Sequence, residues 1–390
     1  MFRYLKGDRV IWMVALGLSV ASILAVYSGI STLGKNAEGS FNVLTRHMTM
    51  LLGGWAIMLV VHRIDYRYFS KFSQLLIWVT VGLLAVTLLY GANINNADRW
   101  LKVPGLGISF QTSDLGKVVL LVYLARMLTM RQAEFGDWRR TFWPIILPIV
   151  MVCGLIFPAN FSTSAMLGLV CFLMLLVAGY PWKFLLTIIF SVGVLLCMVV
   201  AIGEYGPEKL LPRYGTWKNR ILNKVDGDAE GNYQADLAKY AIYSGGLIPK
   251  GPGTGSSRNF MPHPYSDMIY AFIIEEYGLI FGGLSLIFGY LIFYFRAVKT
   301  ALNCPSRFGQ LMVFGLSSII VVQALINMSV SVSLFPTTGQ PLPLISLGGT
   351  STLFTCLSIA MIISVTRGKG EVDEDQFVDE NPIPVVQNAE

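Results

Sequence analysis

Asp114 and Lys117 stand three residues apart inside an apolar run. On a helix that spacing puts opposite charges on one face. A lysine in such surroundings must reach the interface, pair, or meet an anion. Asp267 opens a second apolar run, and Glu275 and Glu276 follow it. They lie roughly 12–14 Å further along a helix at 1.5 Å per residue, with Glu275 about 80° round from Asp267 and Glu276 nearly opposite it. Asp267 and Glu275 are therefore expected to line one cavity, and Glu276 to pair within the bundle. Arg99 sits beside Trp100. Polar and charged residues held at membrane depth are costly, and by default they suggest function. Simpler uses stand beside these. Ser113 and Asp267 suit helix N-caps, Asp114 suits the helix dipole, and Arg99–Trp100 suits an interface anchor.

A third cluster runs from Phe335 to Ser351, with prolines at 336, 341 and 343 and glycines at 339, 348 and 349. Irregular backbone at membrane depth is tolerated only where protein buries it or where it lines a wet cavity. A plain hairpin between helices would not need Thr337, Thr338, Ser346, Thr350 and Ser351 so close together. A glycine-rich stretch, Gly251-Pro252-Gly253-Thr254-Gly255, permits tight turns but is weak evidence alone.

The elements that must carry these clusters are membrane helices. Of 390 residues, 54% are hydrophobic and 13% charged, where a soluble chain carries about a quarter charged. The mean hydropathy is +0.60. Apolar blocks fall at about 10–32, 43–61, 73–91, 114–130, 142–157, 162–179, 183–203, 267–295, 308–333 and 344–366. The expected fold is all-α, a polytopic integral membrane protein of ten transmembrane helices with a large extracytoplasmic loop, 204–266, between helices seven and eight. Block 10–32 is too long for a signal-peptide core and has no evident cleavage site after it, so it is expected to stay as the first helix.

Lysine and arginine fix the orientation. With the N-terminus inside, the inner segments hold Arg3/Lys6/Arg9, Arg63/Arg67/Lys71, Arg131/Arg139/Arg140, Lys183, Arg296/Lys299/Arg307 and Arg367/Lys369, while outer loops 158–161 and 334–343 hold no basic residue. Residues 1–9 are then a cytoplasmic N-terminus, 10–366 the membrane domain, and 367–390 an acidic, disordered cytoplasmic tail. All three polar clusters come to the outer side. The 5 Cys and 3 His show no metal-ligand spacing, and the net charge of +6 is used in topology, with no sign of nucleic-acid binding.

Taken together, these motifs resemble the shape, elongation, division and sporulation family, which includes RodA and FtsW. The resemblance covers nearly all of 10–366. The family's Arg-Trp followed by Gln-Pro-Ser-Glu and lysine is similar to Arg99-Trp100 and Gln111-Thr112-Ser113-Asp114-x-x-Lys117. Its Ser/Thr-Asp-Phe-Ile-Phe/Tyr-Ala…Glu-Glu-x-Gly is similar to Ser266-Asp267-Met268-Ile269-Tyr270-Ala271…Glu275-Glu276-Tyr277-Gly278. Its Pro-Thr-x-Gly…Leu-Pro-x-x-Ser-x-Gly-Gly-x-Ser is intact from Pro336 to Ser351. Tyr233-Gln234 and Gly245-Gly246 also fit, with Leu237 where a second glutamine is usual. The usual Gln-Pro-Asp turn is Pro158-Ala159-Asn160 here, which lacks the acid and casts doubt on a role for position 160.

The resemblance implies a peptidoglycan glycan polymerase. It would join lipid II, an undecaprenyl-pyrophosphate-linked disaccharide peptide, by inverting glycosyl transfer at the outer face of the bacterial cytoplasmic membrane. By motif match Asp267 is the catalytic base, and Arg99 and Lys117 suit the pyrophosphate. Trp100, Asp114, Glu275, Thr337 and Ser346 are further substrate-binding candidates. The resemblance leaves room for a divalent cation, Mg or Mn, at the pyrophosphate, although no residue requires one. It also implies a class B penicillin-binding protein as transpeptidase partner. Ser266-Asp267-x-Ile269-Tyr270-Ala271, the Pro104-Gly105-x-Gly107 segment and the stretch near residue 255 look more like FtsW, the division member, than RodA, the elongation member. Divisome partners and a septal location follow from that likeness. Two rivals use the same helices. A lipid II flippase predicts polar residues through the midplane, and a recruiting scaffold has no need for Lys117 or Glu275 in apolar helices.

Overall fold

A computed structural model describes residues 6–30, 37–93, 98–102, 109–206, 214–216, 218–219, 233–257, 260 and 266–367. The acidic tail beyond Arg367 and most of 204–232 lie outside the described residues. Each apolar block falls on a helix: α1 Arg9–Ile30, α2 Ala37–Val61, α3 Tyr66–Tyr90, α4 Thr112–Met130, α5 Trp138–Ile156, α6 Phe161–Val177 and α7 Trp182–Tyr205. After these come α8 Tyr233–Gly245, α9 Ile269–Tyr277, α10 Ser285–Leu302, α11 Arg307–Ser331 and α12 Thr350–Arg367. The protein is a multi-pass helical membrane protein. Among the described residues 8 helical stretches are long and apolar enough to cross a membrane. Two blocks fall short of that measure for evident reasons. Helix α4 carries Asp114, Lys117 and Arg126, and α6 has only 17 residues.

Polar side chains set several helix starts. Asp8 accepts from Val10 N at 2.8 Å, Asp65 from Arg67 N at 2.9 Å, and Asp137 from Arg139 N at 2.9 Å. Asn160 caps α6 by accepting from Thr163 N at 3.2 Å. Pro144 falls within the π-helical turn Phe142–Ile146 of α5, where its missing N–H is absorbed.

Helix α11 is the centre of the bundle. In its most apolar stretch 78% of residues are buried, against 6% in α7. It packs on α4, α6, α9, α10 and α12, whereas α7 touches chiefly α6. The outward faces of α2, α3 and α7 expose large apolar side chains such as Leu52, Leu75, Trp78, Leu186 and Phe190, a surface that belongs against lipid. The cysteines are unpaired. Burial pushes the thiol of Cys304, in the turn before α11, above its ordinary range.

Three features depart from the sequence expectation. First, the chain is not wholly helical. Ala92–Asn93, Asp98–Lys102 and Ser109–Gln111 form a three-stranded antiparallel sheet, β1-β2-β3, just before α4. A ladder of this kind satisfies main-chain groups where the chain leaves the bilayer. Second, the loop after α7 contains helix α8, whose Ala238, Ala241 and Gly245 form a close-packed seam. A Cβ on Gly245 would collide with the main chain of Ile274 and Glu275.

Third, block 267–295 is not one straight helix. Tyr270 Oη donates to Gly283 O at 3.3 Å, although 13 residues of continuous helix would separate the two by roughly 20 Å. The chain reverses at Gly278, which takes φ +72°. The amides of Leu279 and Ile280 are donated to Gly246 O and Leu247 O at 2.9 and 3.3 Å. Residues Gly278–Leu284 form a π turn that leads into α10. Interrupted backbone is thus paired with protein on both sides, as membrane depth demands.

Candidate functional site

The site begins with the non-helical stretch between α11 and α12. Its main chain lacks a repeating ladder, so surrounding side chains must satisfy it. Gln323 Nε2 donates to Pro341 O at 2.8 Å, and Asn327 Nδ2 to Gln340 O at 2.7 Å. Ser22 Oγ donates to Ile345 O at 2.8 Å and contacts His47 Nε2 at 2.9 Å, while Tyr290 Oη donates to Pro343 O. Gln340 Nε2 donates to Thr163 Oγ1 at 2.7 Å. So α1, α6, α10 and α11 all grip this stretch. Held this way, Leu344 keeps φ +63°, in the left-handed region that L-residues avoid, as does Gly339 at +63°. Strain of that kind persists only where surroundings over-determine it.

Asp267 lies against the same stretch. Its main-chain carbonyl accepts from Asn327 Nδ2 at 2.8 Å. Its carboxylate is partly exposed, and among the described residues its one hydrogen bond comes from Ser266 Oγ at 3.0 Å. It is not an N-cap. Met268 occupies that position of α9 and no side chain caps the helix. A Cβ on Gly339 would stand 3.4 Å from Asp267 Oδ2, so the glycine keeps space open beside the acid.

Asp114 and Lys117 pair at 2.8 Å, both buried on α4. Lys117 Nζ also donates to Gln323 Oε1 at 3.0 Å. Asp114 Oδ2 is buried and has no hydrogen-bond partner among the described residues. One chain of hydrogen bonds and one helical turn therefore run from Asp114 through Lys117 and Gln323 to Asn327 and Asp267. The N-cap of α4 is Gln111, not Ser113. Gln111 N donates to Thr350 Oγ1 at 3.3 Å, which ties the start of α4 to α12.

The other expected residues divide. Strand β2 carries Arg99 and Trp100, and Trp100 pairs with Gln111, so their main chain lies at the entry to α4; their side chains lie outside the described residues. Thr337 is half-buried in the non-helical stretch. Ser346 is buried, donates to Ser266 O at 2.8 Å and accepts from Leu342 N at 2.7 Å, so it pins the residue before Asp267. Glu275 departs from the cavity expected for it. Ser256 N and Ser257 N donate to its Oε1 at 2.9 and 3.1 Å, Ser244 Oγ at 3.3 Å, and Ser257 Oγ binds Oε2. The glycine-rich loop folds back onto the last turn of α9 and its amides take that carboxylate. Glu276 pairs within the bundle, accepting from Ser28 Oγ at 2.6 Å and Gly253 N at 2.9 Å.

Residues 8–371 match the model of the FtsW, RodA and SpoVE family, described as cell cycle proteins. The chain belongs to that family. Among its relatives, a probable peptidoglycan glycosyltransferase FtsW of Geobacter metallireducens (strain ATCC 53774 / DSM 7210 / GS-15) is 29% identical over 374 residues, covering 94% of this chain and 96% of the relative. A protein of the same name from Hydrogenovibrio crunogenus (strain DSM 25203 / XCL-2) is 29% identical over 375 residues, covering 95% and 92%. In fold, this FtsW/RodA/SpoVE protein resembles a chain of a solved peptidoglycan synthase complex that coordinates polymerization and crosslinking, with TM-score 0.73, 23% identity, and 93% and 98% of the two chains covered. It also resembles the rod shape determining protein RodA of Thermus thermophilus, with TM-score 0.68, 22% identity and 95% and 100% covered.

Sequence reasoning missed the amides of this FtsW/RodA/SpoVE protein. Gln323 and Asn327 lie four apart in the apolar run of α11, and the cost of polar groups at that depth was the available signal. Position 160 has a use despite lacking an acid. Asn160 caps α6 and lies 3.5 Å from Gln340 Nε2.

Proposed function

We propose that this protein is a peptidoglycan glycosyltransferase that polymerises lipid II at the outer face of the cytoplasmic membrane. The observation that carries the reading is the pairing of unequal neighbours. Asp267 keeps a carboxylate with a single hydrogen bond among the described residues, and a bonded chain links it to the buried cation Lys117. In the reaction the Asp267 carboxylate takes the proton of the acceptor sugar hydroxyl. The oxygen attacks the anomeric carbon of the donor, the bond from that carbon to the lipid pyrophosphate breaks, and configuration inverts. Lys117 and Arg99 offset the charge that develops on the departing diphosphate. Trp100, Asp114 and Thr337 line the substrate path, and Ser346 supports Asp267 from below.

Among the described residues no three His, Cys, Asp or Glu side chains come together as a metal cage. A divalent cation, Mg or Mn, is therefore proposed only as one carried in by the diphosphate, and no step is routed through it. The reading includes ten membrane crossings, counting α4 and α6, with both termini cytoplasmic and 204–266 outside. It includes an acidic cytoplasmic tail, a class B penicillin-binding protein partner, and a septal role in division. The family's description as cell cycle proteins and the relatives named FtsW support the division role, and the likeness to a chain of a peptidoglycan synthase complex supports the transpeptidase partner.

The test is polymerisation of labelled lipid II by purified protein, with and without the transpeptidase partner, beside Asp267→Ala. Strands from the wild type alone are expected. Strands from both proteins would remove Asp267 as the base. No strands from the wild type, even with its partner, would overturn the polymerase and turn attention to lipid II translocation in vesicles.

A further inference from the structure

Asn327 is 1% exposed near the C-terminal end of α11. Its amide nitrogen donates twice, to Asp267 O at 2.8 Å and to Gln340 O at 2.7 Å. Its Oδ1 is buried without a hydrogen-bond partner among the described residues. A side chain present only to fill the core would be apolar, because a buried acceptor left unmet costs stability. Asn327 accepts that cost while tying together the two segments that flank the Asp267 carboxylate. One turn earlier Gln323 repeats the arrangement. Its nitrogen holds Pro341 O and its oxygen holds Lys117 Nζ. Both amides lie on the central helix α11, four residues or about 6 Å apart along its axis.

We propose that Asn327 is a positioning residue that sets the height of Asp267 against the Gly339–Pro341 segment, and that Gln323 sets Lys117 against the same segment one turn away. The proposal rests on the reading of Asp267 as base. The two amides divide the labour. Asn327 acts on proton abstraction through Asp267, and Gln323 acts on diphosphate capture through Lys117. A fixed spacing between base and cation follows, because α11 is the rule on which both are marked. Neither amide touches the substrate.

Asn327→Asp keeps the shape but cannot donate two hydrogen bonds to two carbonyls. Gln323→Leu keeps the bulk but loses the acceptor for Lys117. The assay is lipid II polymerisation per folded molecule, with kcat and KM read separately and a pH profile of kcat. Asn327→Asp is expected to lower kcat about 100-fold, with KM within about 3-fold and the acid limb of the profile displaced. Gln323→Leu is expected to raise KM by about 10-fold with a smaller effect on kcat. Should Asn327→Asp not fold, Asn327→Ser, which retains one donor, carries the same expectation at smaller amplitude. A wild-type kcat and pH profile per folded Asn327→Asp molecule, with Asp267→Ala inactive, would overturn the positioning role and leave the base intact. An active Asp267→Ala would instead overturn the base, and the positioning role with it.

Discussion

Asp267 stands just ahead of the short helix α9 and Glu275, eight residues on, lies in its last turn, and the structure treats their carboxylates in opposite ways. Glu275 is 2% exposed and binds two amides and the hydroxyls of Ser244 and Ser257. Asp267 is partly exposed, and among the described residues its carboxylate has one hydrogen-bond partner, Ser266 Oγ. A carboxylate with its lone pairs taken holds a fold together. One with lone pairs to spare is available for a proton. The surroundings of Asp267 show where its restraint has gone. Its main chain is fixed by Asn327, and the residue before it by Ser346. The acid is held firmly by its backbone and left open at its tip.

The comparison makes opposite predictions for the two acids. Asp267→Asn should lower polymerisation at least about 100-fold in a lipid II assay, with the melting temperature in detergent close to that of wild type. Glu275→Ala should do the reverse. Several buried donors lose their acceptor, so stability should fall by about 2–4 kcal/mol in a thermal melt, while surviving folded molecules keep most of their kcat. A Glu275→Ala protein with wild-type stability and no activity would collapse the distinction. Lys117→Met sits between these extremes. It strands the buried Asp114, so stability and lipid II binding should both drop, and Asp114→Asn in the same chain should restore part of the stability but not the binding. Gly339→Ala asks how much room Asp267 needs. At φ +63° with a Cβ 3.4 Å from Oδ2, it should cost about 1 kcal/mol and about 10-fold in kcat. The smallest effect is expected for Lys239→Ala on α8. Its pair with Asp236 is exposed, so stability should change by less than about 0.5 kcal/mol.

Much of the architecture could be read from residue patterning, since every long apolar block lies on a helix. Hydropathy records only how apolar a stretch is, so it could not reveal the reversal at Gly278. Both arms, Ile269–Tyr277 and 278–302, are apolar, and the break depends on a positive φ and on amides donated to Gly246 and Leu247. Equally hidden was the return of the glycine-rich loop onto the end of α9, whose amides at Ser256 and Ser257 take the Glu275 carboxylate. Helix α8 was hidden for the opposite reason. Its seam of Ala238, Ala241 and Gly245 is too small to register as an apolar face, and its meaning appears only against the main chain of α9. At the site, charged residues drew attention because charges in apolar runs are conspicuous. Gln323 and Asn327 are neutral, and their importance lies in whose carbonyls they reach, which is a property of the folded chain.

Helix α9 is nine residues long, or about 13 Å. One end is clamped by Glu275 and Glu276 to the loop at 250–257, and just ahead of the other end stands Asp267. Gly245 rests on its flank with no space for a methyl group. Helix α9 is thus a short strut, with the glycine-rich loop and α8 fastened at one end and the main chain of Asp267 leading into the other.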